Sequence, residues 1–239
     1  MANLSGKHVL LGICGGIAAY KSAQLCRELK RRGADVRVVM TESACRFIAP
    51  LTLQALSGNP VGHDLFEAES GDGMGHIELA RWAERVVVAP ATADFIARLA
   101  HGLAGDLLST VCLATDAPLA VAPAMNRQMW AHPATQHNCR LLEERGVRLI
   151  GPESGSQACG DSGPGRMTEP ADILAALTTQ SGVRVSVGEV ARVEATSGAR
   201  EIYRRDQRRV VIPVTADHPP DPGAGRRCQL PASIAEVQQ

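Results

Sequence analysis

The stretch Lys7-His8-Val9-Leu10-Leu11-Gly12-Ile13-Cys14-Gly15-Gly16-Ile17-Ala18-Ala19-Tyr20-Lys21, continued by SAQLCRELKRRGADVRVVM to residue 40, decides the fold. Residues 7–13 form a short apolar run that closes on glycines. From Ile17 to Arg32, apolar residues fall at 17, 18, 25, 26 and 29 with charge on the other face, which is helical spacing. Gly33 stops that helix, and Asp35 to Met40 reads as a β-branched strand. The order is therefore strand, Gly-rich turn, helix, strand: a βαβ unit.

The same rhythm continues outward from this unit. Arg85 to Ala89 reads as a strand, followed by a turn over 90–94 and a helix over about 93–101. Leu119 to Ala122 reads as a strand leading into a polar, Met-rich turn. Thr135 to Arg145 reads as a helix closed by Gly146, and Val147 to Ile150 as a further strand. Strands alternating with helices imply an α/β fold: a three-layer, mostly parallel sheet with helices on both faces. Ligands of such sheets bind beyond the carboxyl ends of the strands, where the Gly-rich turn, Thr41 and the turns at 90–94 and 123–130 all fall.

After about Leu177 the rhythm is lost. Residues 178–239 hold several arginines, the Pro/Gly-rich stretch PPDPGAG at 219–225, and two possible strands at 183–187 and 210–214. The expected organisation is one domain over 1–177 and an irregular extension over 178–239.

Composition narrows the function. Lys plus Arg and Asp plus Glu both number 25, so no overall charge favours nucleic acid or a membrane surface. No apolar run approaches the roughly 20 residues that span a bilayer, and no signal-peptide pattern opens the chain. Seven scattered cysteines with no C-x-x-C pair fit a reducing, cytoplasmic setting. Aromatic residues are only 3%, so the core must be aliphatic. No metal site is expected: His132, His137 and Cys139 cluster, but without ligand spacing such as H-E-x-x-H.

Four segments can carry chemistry. The turn at 12–21 opens a helix and can receive an anion, or can be a plain tight turn; it does not match G-x-G-x-x-G, and no acidic residue ends the second strand, which disfavours a dinucleotide. His76, in Gly75-His76-Ile77-Glu78-Leu79-Ala80-Arg81-Trp82, can exchange a proton near neutral pH or simply cap a helix. Asn126, in Pro123-Ala124-Met125-Asn126-Arg127-Gln128-Met129-Trp130, can bind a carboxylate or be a capping residue. The loop over 154–167 carries four glycines and Cys159, and reads either as a lid that closes on substrate or as a plain loop.

Together, GGIAAYK (15–21), GHIELARWA (75–83), APATAD (89–94), PAMNRQMW (123–130) and ACGDSGPGRM (158–167) resemble the homo-oligomeric flavin-containing cysteine decarboxylase family over about residues 1–177. The resemblance implies a Rossmann-like fold of the flavoprotein type with FMN as cofactor, and homotrimers or larger homo-oligomers with the site between subunits. It further implies decarboxylation of 4'-phosphopantothenoylcysteine to 4'-phosphopantetheine in coenzyme A biosynthesis, with no nucleic-acid or membrane partner. By the same resemblance His76, Asn126 and Cys159 are catalytic: a base, a carboxylate holder and a proton donor. Gly15, Gly16, Ile17, Ala18, Thr41, Ala91, Thr92, Ser109 and Met125 would surround the flavin, and Asn126, Met129, Ala158, Gly160, Arg166 and Met167 the substrate. Cys14 stands where the family more often has Ser or Thr. Bacterial members continue into a ligase half, for which residues 178–239 are too short, so ligase activity is not expected of this chain. The competing expectations are a non-catalytic scaffold of the same fold and a related flavin enzyme with another substrate.

Overall fold

The computed structural model describes residues 4–65 and 75–178, and the backbone of three strands at 191–193, 201–204 and 209–211. The chain divides into two units, Met1–Gly182 and Val183–Gln239.

The first unit is built on β1 (His8–Ile13), α1 (Ala19–Arg31), β2 (Asp35–Met40), α2 (Glu42–Cys45), α3 (Pro50–Ser57) and β3 (Val61–Gly62). It continues with α4 (Gly75–Trp82), β4 (Arg85–Ala91), α5 (Ala93–His101), α6 (Leu107–Ala114) and β5 (Leu119–Pro123). It closes with α7 (Arg127–Ala131), α8 (Pro133–Glu144), β6 (Arg148–Leu149), β7 (Glu153–Ser156), β8 (Ser162–Arg166) and α9 (Pro170–Thr178).

Six strands form one sheet in the order β3-β2-β1-β4-β5-β6, every pair parallel. Parallel strands are covered on both faces and so carry continuous apolar runs. In β1, Val9, Leu10, Leu11 and Ile13 are all essentially without solvent contact. Val9, Leu11 and Ile13 face α1, α3 and α9 on one side; Leu10 faces the core made with α4, α5, α6 and α8 on the other. Helix α1 buries Ala19, Ser22, Leu25, Cys26 and Leu29, the i, i+3, i+4 stripe that the sheet requires. Ser22 is kept in that stripe by donating to the Ala89 carbonyl at 2.7 Å. The strand order runs outward in opposite senses from the β1–β4 junction, the place in such sheets where the segments after the two strands flank a crevice.

Differences from the sequence reading have physical causes. Strand β4 runs two residues past Ala89; Pro90 has no N–H for the ladder, and the β4–β5 register shifts between Val88 and Ala91. The segment read as a loop over 154–167 is instead an antiparallel hairpin, β7 paired with β8, with its tip at 157–161. The second unit contributes β9 (Ala191–Val193), β10 (Glu201–Arg204) and β11 (Arg209–Val211), an antiparallel three-stranded sheet. The expected strand at 210–214 overlaps β11; the one at 183–187 lies outside the described residues. No helix among the described residues is long and apolar enough to cross a membrane.

Candidate functional site

The turn after β1 leads straight into α1. Its N-cap, Ala18, offers no side-chain acceptor, and the first turn holds no acidic residue. Among the described residues nothing accepts from the N–H groups of Gly15, Gly16, Ile17 or Ala18. The place where Gly16 lacks a side chain is open space. Gly15, in contrast, is pressed against Ser43, whose side-chain atoms would lie 2.5 Å from an added Cβ. Four N–H groups without an acceptor among the described residues, at the positive end of a 13-residue helix, are a ready anion site.

This turn forms one wall of a cavity of about 610 Å³. Thr92, Ala93, Met125, Asn126 and Met129 continue the lining, and the hairpin residues Ala158, Cys159, Arg166 and Met167 close it. The structure thus brings together Gly15, Gly16, Ile17, Ala18, Thr92, Met125, Asn126, Met129, Ala158, Cys159, Arg166 and Met167 from the residues named by sequence.

Asn126 combines its two sequence readings. As N-cap of α7 its Oδ1 accepts from the Gln128 N–H at 2.8 Å. That bond fixes the amide, so Nδ2 must point away from the helix. Nδ2 donates to Asp161 Oδ2 at 2.9 Å and to Cys159 Sγ at 3.3 Å. Cys159, exposed at the hairpin tip, donates in turn toward Asp161 Oδ2 at 3.6 Å. The Asn126 bond, with Arg127 nearby, holds the Asp161 carboxyl below the usual carboxylate range.

The hairpin is docked by backbone and side chain together. Met125 N–H donates to the Gly165 carbonyl at 2.9 Å. A Cβ on Gly165, whose φ is +134°, would collide with the Met125 carbonyl, so glycine is required there. Gln157 accepts from the Arg127 N–H at 3.1 Å. At the base, Lys21 donates to the Met167 carbonyl at 3.2 Å and pairs with Glu169 at 2.6 Å, holding the Glu169 carboxyl below its ordinary value.

Other named residues lie elsewhere. Thr41 lines a polar cavity of about 400 Å³ with Cys14, Ser43, Arg46, Arg98 and Asp106; Thr92 borders both cavities. Burial pushes the Cys14 thiol far up, against a backbone hydrogen bond at Thr92 that pulls it down. Ala91 is buried in β4. Ser109 is buried in the capping box of α6, its hydroxyl donating to Asp106 at 2.9 Å, and lines none of these cavities. Gly160, at the hairpin tip, is outside the lining of the Asn126 cavity.

His76 stands in the first turn of α4 and lines a third cavity, of about 720 Å³, with Arg37, His63, Asp64 and Glu78. That cavity shares no lining residue with the Asn126 cavity. His76 Nδ1 is buried and without a hydrogen-bond partner among the described residues. The far end of α4 is clamped: Trp82 stacks on His8 at 4.7 Å, and the Arg37 guanidinium lies 4.6 Å from its ring centre.

The sequence reading assigned no role to Lys21, Arg127, Gln157 or Asp161. Lys21 and Asp161 sit inside quoted motifs, and Arg127 follows Asn126 directly; only the fold shows that Lys21 meets Glu169 and that Asp161 meets Asn126 and Arg127. Among the described residues, no group of three or more His, Cys, Asp or Glu is placed to hold a metal ion.

Known proteins share this arrangement of chain. The coenzyme A biosynthesis bifunctional protein CoaBC of Haemophilus influenzae is 57% identical over 175 residues, covering 73% of this chain and 44% of that protein. The Bacillus subtilis protein of the same name is 47% identical over 171 residues, covering 72% and 42%. The chain therefore spans less than half the length of these two relatives. Among solved structures, a variant of PPC decarboxylase complexed with pantothenoylaminoethenethiol is 37% identical with a TM-score of 0.65, covering 72% of this chain and 96% of that one. The FMN-dependent cysteine decarboxylase SpaF is 30% identical with a TM-score of 0.63, covering 73% and 98%. A family model described as Flavoprotein matches residues 1–182, and the chain belongs to that flavoprotein family.

Proposed function

We propose that this chain binds FMN and decarboxylates 4'-phosphopantothenoylcysteine to 4'-phosphopantetheine, a step of coenzyme A biosynthesis in the cytoplasm. The observation that carries the reading is the meeting of Asn126 and Cys159, 3.3 Å apart, across a cavity from an anion-binding turn. The names of the relatives and structural neighbours support it. We assign this activity to residues 1–177 and treat 178–239 as an extension.

The residues present fit a flavin mononucleotide. The unclaimed N–H groups of 15–18 suit its phosphate, and Thr92 and Met125 suit the ring system beyond. A bound flavin would supply a hydride acceptor at the sulfur-bearing carbon and return the hydride at the end, so the net reaction is not a redox change. The protein supplies position and protons. A saturated cysteine carboxylate has no electron sink beside it. A thiocarbonyl on the carbon next to the one that bears the carboxylate can accept the electron pair left by carbon dioxide. Asn126 Nδ2 holds the carboxylate and aligns the bond that breaks. His76 takes the thiol proton. Cys159 delivers a proton to the enethiol carbon.

His76 lines a separate cavity, so the proposal includes a homo-oligomer, a trimer or larger, in which His76 of one copy meets Asn126 and Cys159 of another. Exposed Ile17, Tyr20 and Met129 around the Asn126 cavity suit such a contact.

The test is the visible spectrum of the purified chain, followed by carbon dioxide release from phosphopantothenoylcysteine. A yellow protein with near-stoichiometric FMN that releases carbon dioxide is expected. A colourless chain that takes up no FMN sinks the proposal. Mixing two chains that each fail to make reduced product, His76→Asn and Cys159→Ser, during refolding should restore reduced product if sites are shared. No rescue would place each site within one chain.

A further inference from the structure

Both N–H donors of the Asn126 amide are committed in this structure, one to Asp161 and one to Cys159. The amide cannot turn to offer another donor, because its oxygen caps α7. A substrate carboxylate that uses Nδ2 must therefore displace a group already there. One such group is itself a carboxylate. Asp161 thus occupies the place that the proposed function gives to the substrate's leaving group.

Resting on that function, we infer that Asp161 is a positioning residue whose carboxylate alternates with the substrate's on Asn126, so that Cys159 is withdrawn from Asn126 while the substrate's carboxylate is bound and docks again once carbon dioxide has left. Two anions cannot share one amide without strong repulsion. The incoming carboxylate drives Asp161 off. The tip moves as a unit, because Gln157 N–H bonds the Asp161 carbonyl at 2.7 Å and Gly160 N–H bonds the Gln157 carbonyl at 3.0 Å. Cys159 leaves with it. Carbon dioxide is neutral, so its departure removes the competing charge. Asp161 then returns to Asn126 and carries Cys159 to the side of the substrate that has just lost its carboxylate. Arg127, whose Nε lies 3.9 Å from Asp161 Oδ2, is the cation that faces the exchange. The depressed carboxyl of Asp161 keeps it charged throughout the working pH range.

The experiment compares the full chain with Asp161→Ala and Asp161→Glu in two readouts. The first is product partition: loss of the returning carboxylate should raise the ratio of oxidised enethiol to reduced thiol by about tenfold and lower the KM for phosphopantothenoylcysteine. Asp161→Glu should restore part of the wild-type ratio. The second needs no turnover: alkylation of Cys159 by iodoacetamide, followed by mass spectrometry of its peptide in ligand-free protein. Asp161→Ala should react several-fold faster, since the tip is no longer tied to Asn126. An active wild type with unchanged partition in Asp161→Ala overturns the inference, as does an unchanged alkylation rate. A wild type that releases no carbon dioxide sinks the proposed function itself, and the alkylation difference alone then remains as a structural contact.

Discussion

On one side of the Asn126 cavity the chain leaves β1 into a turn whose functional groups are backbone N–H, anchored to strands without solvent contact. On the other side stands the β7–β8 hairpin, exposed at its tip and tied down largely by side chains: Asn126, Gln157, Lys21 and Glu169. The difference teaches how the two halves of the site divide their work. Backbone donors set by a rigid sheet suit a resident group that must not move. Side-chain ties on a hairpin suit a proton donor that arrives and withdraws. Local stability in proteins is uneven in this way, with moving elements drawn from the weakly tied regions.

The sharpest way to separate the two walls is Cys159→Ser. It removes the mobile wall's chemistry and leaves the fixed wall intact. Flavin and carbon dioxide release should persist while reduced product is almost wholly replaced by the oxidised enethiol, read by mass spectrometry. Normal reduced product would erase the division. The converse change is Gly15→Val. Its side chain would be driven against Ser43, and FMN retention, read by absorbance after gel filtration, should fall by about tenfold to a hundredfold. Undiminished retention would mean that the turn is as pliable as the hairpin.

These two walls were also unequally legible in sequence. The first unit from β1 to β2 was plain because strands buried on both faces read as unbroken apolar runs, and because α1 keeps a clean apolar stripe. Helix α6, LLSTVCLA, was missed because its apolar residues surround it and leave no stripe. The hairpin was read as a loop because β7 and β8, ESGS and SGPGR, show no apolar alternation. What holds those strands is contact with Met125, Arg127 and Lys21, which are distant in sequence. Asn126 and Cys159 were legible through their motifs, whereas Asp161 has meaning only through its partner. His76 was named through its motif, and its place in a different cavity of the same chain from Asn126 agrees with a site between subunits only through the family resemblance, not through any pattern in its own segment.

Gly165→Ala tests the seam between the walls. A side chain at φ +134° against the Met125 carbonyl should cost about 1–3 kcal/mol, seen as a lower urea midpoint and faster cleavage of the hairpin by protease. A neutral result would show that the seam is loose. The smallest expected effect is at the hairpin's base. Lys21 lowers the Glu169 carboxyl from 4.5, so the tie contributes fully above that value and is lost as pH falls through the lower folded value. Hairpin protection should weaken through this tie by no more than about 1 kcal/mol as pH falls below about 4.5, and Glu169→Gln should remove the share of the acid dependence due to Glu169, leaving the share due to Asp161 and its tie to Asn126. Equal acid sensitivity in the variant would place the titrating group elsewhere.

The scarcity of aromatic side chains has an optical consequence. The chain has two tryptophans. Trp82 is in contact with the His8 ring and the Arg37 guanidinium, and Trp130 lies one turn beyond Asn126, its backbone N–H bonded to the Asn126 carbonyl at 2.9 Å. Each indole is therefore fixed on the helix that carries or is capped by one site residue: Trp130 on the helix capped by Asn126, Trp82 on the helix that carries His76. Energy transfer to a yellow chromophore beside Asn126 acts across a whole domain and should quench both. Replacing either indole with phenylalanine would leave a single emitter whose quenching is read alone.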